Sequence, residues 1–274
     1  MQILFVASTN MSVECILKNV THTVGEGPHW EESTKTLHYV DLQSGDLHRW
    51  NSVTGKDEVM HFEVELKGTK NRFNDGKCDS KGRLWAGTMG YEDKSGNIEM
   101  EIGHLYCFDL DGKIKSHLDK LCISNGLCWT EDNKTMYLID STPQKVFAFD
   151  YNEDTCEISN QRVVVDFAKN PELGWPDGMT IDTEGMIWVA CYKGAKVVRF
   201  DPKTGNELRS IPIPALRVTS CCFGGKNYDE LYVTCATQDA DKSELSKYPL
   251  TGSVFRVTGL GVKGFPPNNY KGAV

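Results

Sequence analysis

A sequence repeat with a period of about 50 residues runs through this 274-residue chain and limits its fold more than any other feature. Each copy has a polar loop with glycine, an apolar strand, a short acidic turn and two further strands. The first copy is GEGPHWEESTKTLHYVD (25–41) followed by GDLHRW, and the fourth is PDGMTIDTEGMIWVACY (176–192) followed by AKVVRFDPKTG. The other copies begin at NDGKCDS, SNGLCWT and TSCCFGG. Five copies of several short strands, with no sustained helical period, predict an all-β protein with a β-propeller fold.

Four oxygen-bearing side chains occupy the same position in successive copies: Glu26, Asn74, Asn125 and Asp177. They are separated by 48, 51 and 52 residues. In a propeller, equivalent loop positions converge on the central channel, so these side chains are expected to face one another. Two carboxylates and two amides suit a hard cation such as Ca²⁺ or Mg²⁺. Turn-forming residues at four turns explain the same spacing, and the spacing alone does not separate the two interpretations.

The charge and the N-terminal residues limit the partners and the location. The formal net charge of −8 is spread along the chain without a basic run, which argues against a nucleic-acid partner. The first ten residues contain only a five-residue apolar run, too short for a signal peptide or a membrane span. We therefore predict a cytoplasmic protein with no membrane contact. Residues 1–14 are read as an N-terminal extension and residues 15–274 as a single propeller domain.

The ten cysteines lie mostly in apolar, strand-like runs such as LYCF, WVACY and LYVTC, which predicts buried, reduced thiols. No CxxC or HExxH motif occurs, and all seven histidines lie at or before His117. The sequence therefore gives no indication of a zinc site with nitrogen and sulfur ligands.

The motifs GEGPHW, NRFNDGK, AGTM, SNGLCW, PDGM and CCFGGKN, with the tail VTGLGVKG, resemble the regucalcin or SMP-30 family, which includes gluconolactonases. The resemblance extends over nearly the whole chain after Met11. It implies a six-bladed propeller with one divalent metal ion in the channel, Ca²⁺, Zn²⁺, Mn²⁺ or Mg²⁺. It also implies hydrolysis of aldonolactones such as D-glucono-1,5-lactone.

Position by position, the resemblance implies that Glu26, Asn125 and Asp177 are the metal ligands. Asp177 is also implied as the general base. A cation held by three protein oxygens would keep positions open for water and a lactone carbonyl, which is what lactone hydrolysis requires.

The resemblance implies substrate contacts as well. Asn74 and Arg72 in RFNDG, and Glu92 after AGTM, would bind the lactone. A salt bridge away from the site is the plainer interpretation of Arg72, and turn support is the preferred interpretation of Asp75.

The chain departs from the family in its number of repeats. Five copies are visible where the family has six blades, and the gap falls between Trp50 and Asn71. The segment there has one strand-like stretch, Val59 to Leu66, so about 40 residues, or one blade, are missing. A propeller without one blade must close with altered geometry, keep an open edge or lose stability.

These observations leave four functional hypotheses. The first is a metal-dependent lactonase with a small lactone as its substrate. The second is a non-catalytic calcium-binding regulator with regulatory protein partners, although the chain has no EF-hand loop. The third is phosphotriester hydrolysis on the same fold, and the fourth is an inactive isoform that lacks a blade.

Overall fold

The computed structural model describes residues 11–61, 71–93 and 96–272. In these ranges it contains twenty strands in five four-stranded antiparallel sheets, which form the blades of a β-propeller. The predicted all-β propeller is thus confirmed. The one α-helix of these ranges, α1, covers Lys242–Lys247, and 3-10 turns lie at Phe167–Lys169 and Pro171–Leu173. No helix in the described part of the chain is long and apolar enough to cross a membrane.

The blades follow the order of the sequence repeats, and within each blade the strands are given from the channel outward. Blade 1 consists of β2 (Gly25–Glu31), β3 (Thr36–Asp41), β4 (Asp46–Asn51) and β5 (Asp57–His61). Blade 2 consists of β6 (Asn71–Cys78), β7 (Leu84–Gly90), β8 (Gly103–Phe108) and β9 (Ile114–Leu121). Blade 3 consists of β10 (Ser124–Trp129), β11 (Thr135–Asp140), β12 (Lys145–Asn152) and β13 (Glu157–Asp166). Blade 4 consists of β14 (Trp175–Ile181), β15 (Ile187–Tyr192), β16 (Lys196–Phe200) and β17 (Glu207–Pro212). Blade 5 consists of β18 (Val218–Gly224), β19 (Glu230–Cys235), β20 (Val254–Thr258) and β1 (Ser12–Leu17).

Blade 5 combines strands from the two ends of the chain. β1 pairs antiparallel with β20, for example Ser12 with Thr258 and Cys15 with Phe255. The pairing begins inside the expected extension 1–14, of which residues 1–10 lie outside the described ranges. A strand from the start of the chain therefore forms the outer edge of the last blade.

The outermost strands are the elements that the repeat did not reveal. Strands such as β9 and β13 are largely exposed and have no apolar pattern, because one edge and much of both faces meet solvent. The strand expected at Val59–Leu66 corresponds in part to β5, which ends at His61, and residues 62–70 lie outside the described ranges.

The hydrophobic core lies between neighbouring blades. Trp85 of blade 2 packs edge-on against Trp129 of blade 3, with ring centroids 6.1 Å apart. Trp188 of blade 4 packs in the same way against Phe223 of blade 5, at 5.8 Å. Except between blades 1 and 2, each sheet of the described residues thus buries one face against the next, and large aromatic side chains fill much of the wedge between them.

Buried aspartates connect the strands within the blades. Asp182, in the acidic turn after β14, is fully buried and accepts hydrogen bonds from Trp188 Nε1 at 2.8 Å and Arg199 Nε at 2.7 Å. Asp41, at the end of β3, accepts from the backbone N–H groups of His22 and Val24. These acidic residues satisfy buried donors, so they have a structural role.

The ring of blades is open between blade 1 and blade 2. The innermost strands β6, β10, β14, β18 and β2 contact one another in that order, but β2 and β6 approach each other over only part of their length. Every residue of β10 is buried and none of β6 is, and Phe73 on β6 is 51% exposed. C-terminal residues bridge the opening: Asn269 bonds His29 on blade 1, and Lys271 N–H donates to Gly82 O on blade 2. Of the three outcomes expected for a missing blade, the structure has the open edge.

Candidate functional site

The four equivalent residues lie at irregularities in the innermost strands. The register with the second strand shifts between Glu26 and His29 on β2, and in the same way around Asn74–Asp75, Asn125–Gly126 and Asp177–Gly178. A β-bulge changes the direction of a side chain at such a point. The repeated local distortion explains why these side chains face the channel instead of alternating with the strand.

Glu26, Asn125 and Asp177 meet at one end of the channel. Their exposed fractions are 7%, 4% and 8%. The carboxyl group of Asp177 lies beside the carboxyl group of Glu26 and the side chain of Asn125, close enough for each to shift its pKa. The structure thus brings together the three residues expected to bind a metal ion.

The amide of Asn125 has one atom without a partner. Its Nδ2 donates to Ser141 Oγ at 3.1 Å, and Ser141 Oγ donates to Pro176 O at 2.7 Å. Its Oδ1 is buried and accepts no hydrogen bond from any described residue. A buried carbonyl oxygen without a donor is costly, and a bound cation would satisfy it. The donor set of two carboxyls and one amide oxygen therefore fits a hard divalent ion.

The electrostatics of the channel also favour a cation. Burial raises the pKa of Glu26 well above its usual range, and the negative charges of Asp177 and Asp75 raise it further. Burial also raises the pKa of Asp177, with a further increase from the charge of Asp75. The Asp75 carboxylate accepts the backbone N–H of Gly76 at 2.7 Å, which is the expected turn support. The same carboxylate adds to the negative potential of the channel.

Arg72 and Asn74 lie on β6 of blade 2, beside the three expected metal ligands. Arg72 Nη1 donates to Asn74 Oδ1 at 2.8 Å, and Asn74 Nδ2 donates to Ser124 O at 2.9 Å. Burial lowers the pKa of Arg72, while the charges of Glu26 and Glu92 oppose that effect. Asn74 thus has its carbonyl oxygen occupied and one amide N–H free for another partner.

Glu92 lies apart from this group, at the mouth of the channel. It is exposed, and its Oε2 accepts from Gln238 Nε2 at 3.0 Å. The loops that follow the second strand of each blade lie at this end, because Gly25 pairs with Asp41 and Ser124 with Asp140. They enclose a cavity of about 720 Å³. Its lining residues are polar or small: Gln43, Glu92, Asp93, Gly96, Lys193, Gln238 and Asp239.

At the other end of the channel, Lys77 on β6 donates from Nζ to Met179 O on β14 at 2.7 Å. Two cavities lie there, of about 370 and 260 Å³, and Lys77 lines both. Gly27 and Asp75, next to the carboxyl cluster, line the smaller cavity, so open space is present at this end as well.

The structure adds two features that the repeat comparison did not identify. Thr219 occupies the equivalent position in blade 5, between the register partners Val218 and Ser220, but its hydroxyl donates to Gly25 O and joins blade 5 to blade 1. An alignment of the GEG segment of blade 1 with the TSC segment of blade 5 would have revealed this position. In addition, Cys107, His117 and Cys156 converge in the interior. The motif search covered only short spacings and could not bring these three residues together, so the absence of a zinc site with nitrogen and sulfur ligands stays a prediction.

Comparisons with known proteins agree with this architecture. Residues 61–237 match the family model described as SMP-30/Gluconolactonase/LRE-like region. Regucalcin of Oryctolagus cuniculus is 40% identical over 301 positions, which cover 96% of this chain and the whole of that protein. The solved luciferin-regenerating enzyme is 35% identical, with a TM-score of 0.86 over 95% of this chain and 99% of that one. A regucalcin structure from Agrobacterium tumefaciens, 23% identical with a TM-score of 0.83 over 95% of this chain and 97% of that one, shares the fold.

These relatives also bear on the number of blades. The alignment with the rabbit protein leaves about 40 of its positions without a counterpart here, close to the length of one blade. The structural neighbours are six-bladed propellers, whereas this chain forms five blades.

Proposed function

Since this chain belongs to the SMP-30/gluconolactonase/LRE-like family, we propose that it is a divalent-metal-dependent lactonase acting on aldonolactones such as D-glucono-1,5-lactone. One observation carries the proposal. Two buried carboxyls and a buried amide oxygen without a donor among the described residues, from Glu26, Asp177 and Asn125, converge at the channel.

Glu26, Asn125 and Asp177 would hold the cation, which is Ca²⁺, Zn²⁺, Mn²⁺ or Mg²⁺. A cation bound there polarises a lactone carbonyl and lowers the pKa of a coordinated water. Three protein donors leave room for the substrate and that water. All three donors are oxygens, which suits Ca²⁺, Mg²⁺ and Mn²⁺ best.

Asp177 is the general base in this proposal. Its carboxylate accepts the proton of the water that attacks the lactone carbonyl, and ring opening then yields the hydroxy acid. Burial and the charge of Asp75 raise the pKa of Asp177, and the nearby guanidinium of Arg72 opposes that shift only in part. The positive charge of a bound cation would favour the ionised carboxylate that a general base requires.

Arg72 and Asn74 would orient the lactone. Arg72 fixes the amide of Asn74, whose remaining N–H can donate to a substrate oxygen. Glu92, at the mouth, would accept from sugar hydroxyls, and the polar cavity there suits a polyhydroxylated ring.

The test is turnover of D-glucono-1,5-lactone by purified protein loaded with each of the four cations. Acid release can be followed with a pH indicator. Asp177→Ala should abolish turnover, and the exposed Asp154→Asn, on an outer turn, is the matched control that keeps it. Activity that survives Asp177→Ala would exclude the proposed base.

A calcium-binding protein without catalysis is the second candidate, and the open ring favours it. The three metal donors lie on β2, β10 and β14, but Arg72 and Asn74 lie on β6, beside the opening. Loss of a blade can therefore disturb substrate contacts while the cation site is kept. Calorimetry would then show Ca²⁺ binding, and activity assays would show no turnover of any lactone or phosphotriester. A purified protein that binds no metal would instead be the inactive isoform.

A further inference from the structure

Three metal-binding side chains meet between blade 2 and blade 3, away from the channel residues. Cys107 lies on β8, His117 on β9, and Cys156 in the turn between β12 and β13. One donor atom from each lies within 4.8 Å of the other two. Cys107 and Cys156 are buried, at 2% and 8% exposure, and their sulfurs are 3.2 Å apart.

The backbone at Cys156 is in an unusual conformation for its residue type. Three blades have the same outer turn, NSVTG (51–55), NEDTC (152–156) and DPKTG (201–205). At its last position the φ angles are 72° for Gly55, 74° for Gly205 and 56° for Cys156. Glycine adopts positive φ without strain, whereas a residue with a Cβ does so at a cost. Backbone strain of this kind often accompanies a functional constraint, and here it directs a thiol into the interface between the blades.

His117 is prepared to act as a third donor. Its ring lies against Trp85, with centroids 4.5 Å apart, which fixes its orientation. Its Nε2 is buried and has no hydrogen-bond partner among the described residues. A buried imidazole nitrogen of this kind is costly unless a ligand binds it.

We propose that Cys107, His117 and Cys156 bind a thiophilic d10 cation, with Zn²⁺ as the first candidate, at a site separate from the channel. Thiolate sulfur and imidazole nitrogen are the donors such ions prefer. Binding replaces the two thiol protons, which pass to solvent, so that Zn²⁺ and two thiolates form a neutral buried unit. Arg83 adds positive charge nearby but is already paired with Asp79 at 2.7 Å.

The geometry favours a metal ion over a disulfide. Two zinc–sulfur bonds of about 2.3 Å at a tetrahedral angle place the sulfurs ~3.8 Å apart, so the two sulfurs would move apart by about 0.6 Å from their present 3.2 Å. A disulfide needs the sulfurs to approach to about 2.05 Å, a larger change, and it leaves His117 Nε2 without a partner.

The position of the site gives it a structural purpose. Blade 2 meets blade 1 over only part of β6, so its attachment to the ring depends mainly on blade 3. A metal ion bound to Cys107 and His117 of blade 2 and Cys156 of blade 3 would link the two sheets directly.

Co²⁺ serves as the spectroscopic probe in fully reduced full-length protein. Thiolate ligands give Co²⁺ a near-ultraviolet charge-transfer band, whereas the oxygen donors of the channel do not. The wild type should develop this band with one equivalent of Co²⁺, and Zn²⁺ should remove it by displacement. The band should disappear in Cys107→Ser and Cys156→Gly, and His117→Gln should weaken Co²⁺ binding at least tenfold.

Two controls keep the outcome decisive. Cys156→Gly places the residue of the two sister turns at this position, so its backbone is expected to fold, and Cys122→Ser removes a cysteine outside the cluster. X-ray absorption on zinc-loaded Asp177→Ala protein, which lacks the channel site, should show two sulfur neighbours at about 2.3 Å and nitrogen at about 2.0 Å. No charge-transfer band in the reduced wild type, a band that persists in Cys156→Gly, or a zinc environment without sulfur would each overturn the proposal.

Discussion

Two buried aspartates, Asp177 on β14 and Asp182 directly after that strand, should respond in opposite ways when each is replaced by asparagine. Asp177 lies with Glu26 and Asp75 in a cluster of like charges, whereas Asp182 pairs with Arg199 at 2.7 Å. In metal-free protein, Asp177→Asn removes a buried carboxyl from a repulsive group. It should therefore stabilise the fold, while Asp182→Asn removes the buried partner of Arg199 and leaves it, among the described residues, only the exposed Glu184 as an ionic partner.

The magnitudes follow from the charges. Two unit charges ~4 Å apart interact by about 4 kcal/mol at an effective dielectric constant of ~20. Because the raised pKa values of Glu26 and Asp177 reduce their negative charge in metal-free protein, the expected gain from Asp177→Asn is no more than the full repulsion, about 1–4 kcal/mol. Breaking the buried Asp182–Arg199 pair should cost about 3–5 kcal/mol.

The gain from Asp177→Asn should depend on pH. A carboxyl whose pKa is raised by folding favours the native state at pH values below its unfolded-state pKa, and this contribution is lost as the pH rises through the folded-state value. The wild type loses this contribution at Asp177 as the pH rises, whereas the variant has no carboxyl group there to titrate. The difference in unfolding free energy should therefore be larger at pH 8 than at pH 5.

The assay is denaturant unfolding of both variants and the wild type with EDTA, and again with saturating Ca²⁺. Calcium at 100 times its dissociation constant should stabilise the wild type by about 2.7 kcal/mol and Asp177→Asn much less. A metal-free Asp177→Asn protein that is less stable than the wild type at both pH values would refute the account of a repulsive carboxyl cluster.

Three further predictions concern the same regions. Cation binding should release protons from the raised channel carboxyls, so its calorimetric enthalpy should change with the buffer's ionisation enthalpy, and affinity should rise from pH 5 to pH 8. Phe73→Ala should cost less than about 2 kcal/mol, because this side chain is half exposed at the opening, whereas Leu127→Ala should cost about 3–5 kcal/mol; equal costs in denaturant unfolding would indicate a closed ring. Gly126→Ala should disrupt the contact of β10 with β14, since its Cβ would lie 2.3 Å from Met179 N, and a variant with wild-type stability and metal affinity would contradict that close approach.

The open ring changes how the family resemblance applies to this chain. The three proposed metal donors lie on β2, β10 and β14. Of these strands, only β2 borders the opening between blades 1 and 2. Two of the residues proposed to contact substrate, Arg72 and Asn74, lie on β6, which borders the opening. Activity measurements on this chain therefore test how far the channel tolerates the loss of one blade.

The sequence by itself determined the propeller, its five repeats, the location of the gap and the four equivalent positions. It could do so because each blade is a local unit, and a local pattern of strands and turns recurs at a fixed period. The same periodicity predicted that Glu26, Asn74, Asn125 and Asp177 would face one another, although it gave no distances or protonation states.

Only the tertiary structure decided how the ring accommodates the missing blade, because closure depends on contacts between blade faces far apart in sequence. It also decided that the oxygen of Asn125, and not its nitrogen, lacks a partner, since Ser141 occupies the nitrogen. Cys107 and Cys156 lie on different blades, 49 residues apart, and no motif search over short spacings could pair them. Their meeting with His117 follows from the packing of one sheet against the next, which is a property of the folded molecule.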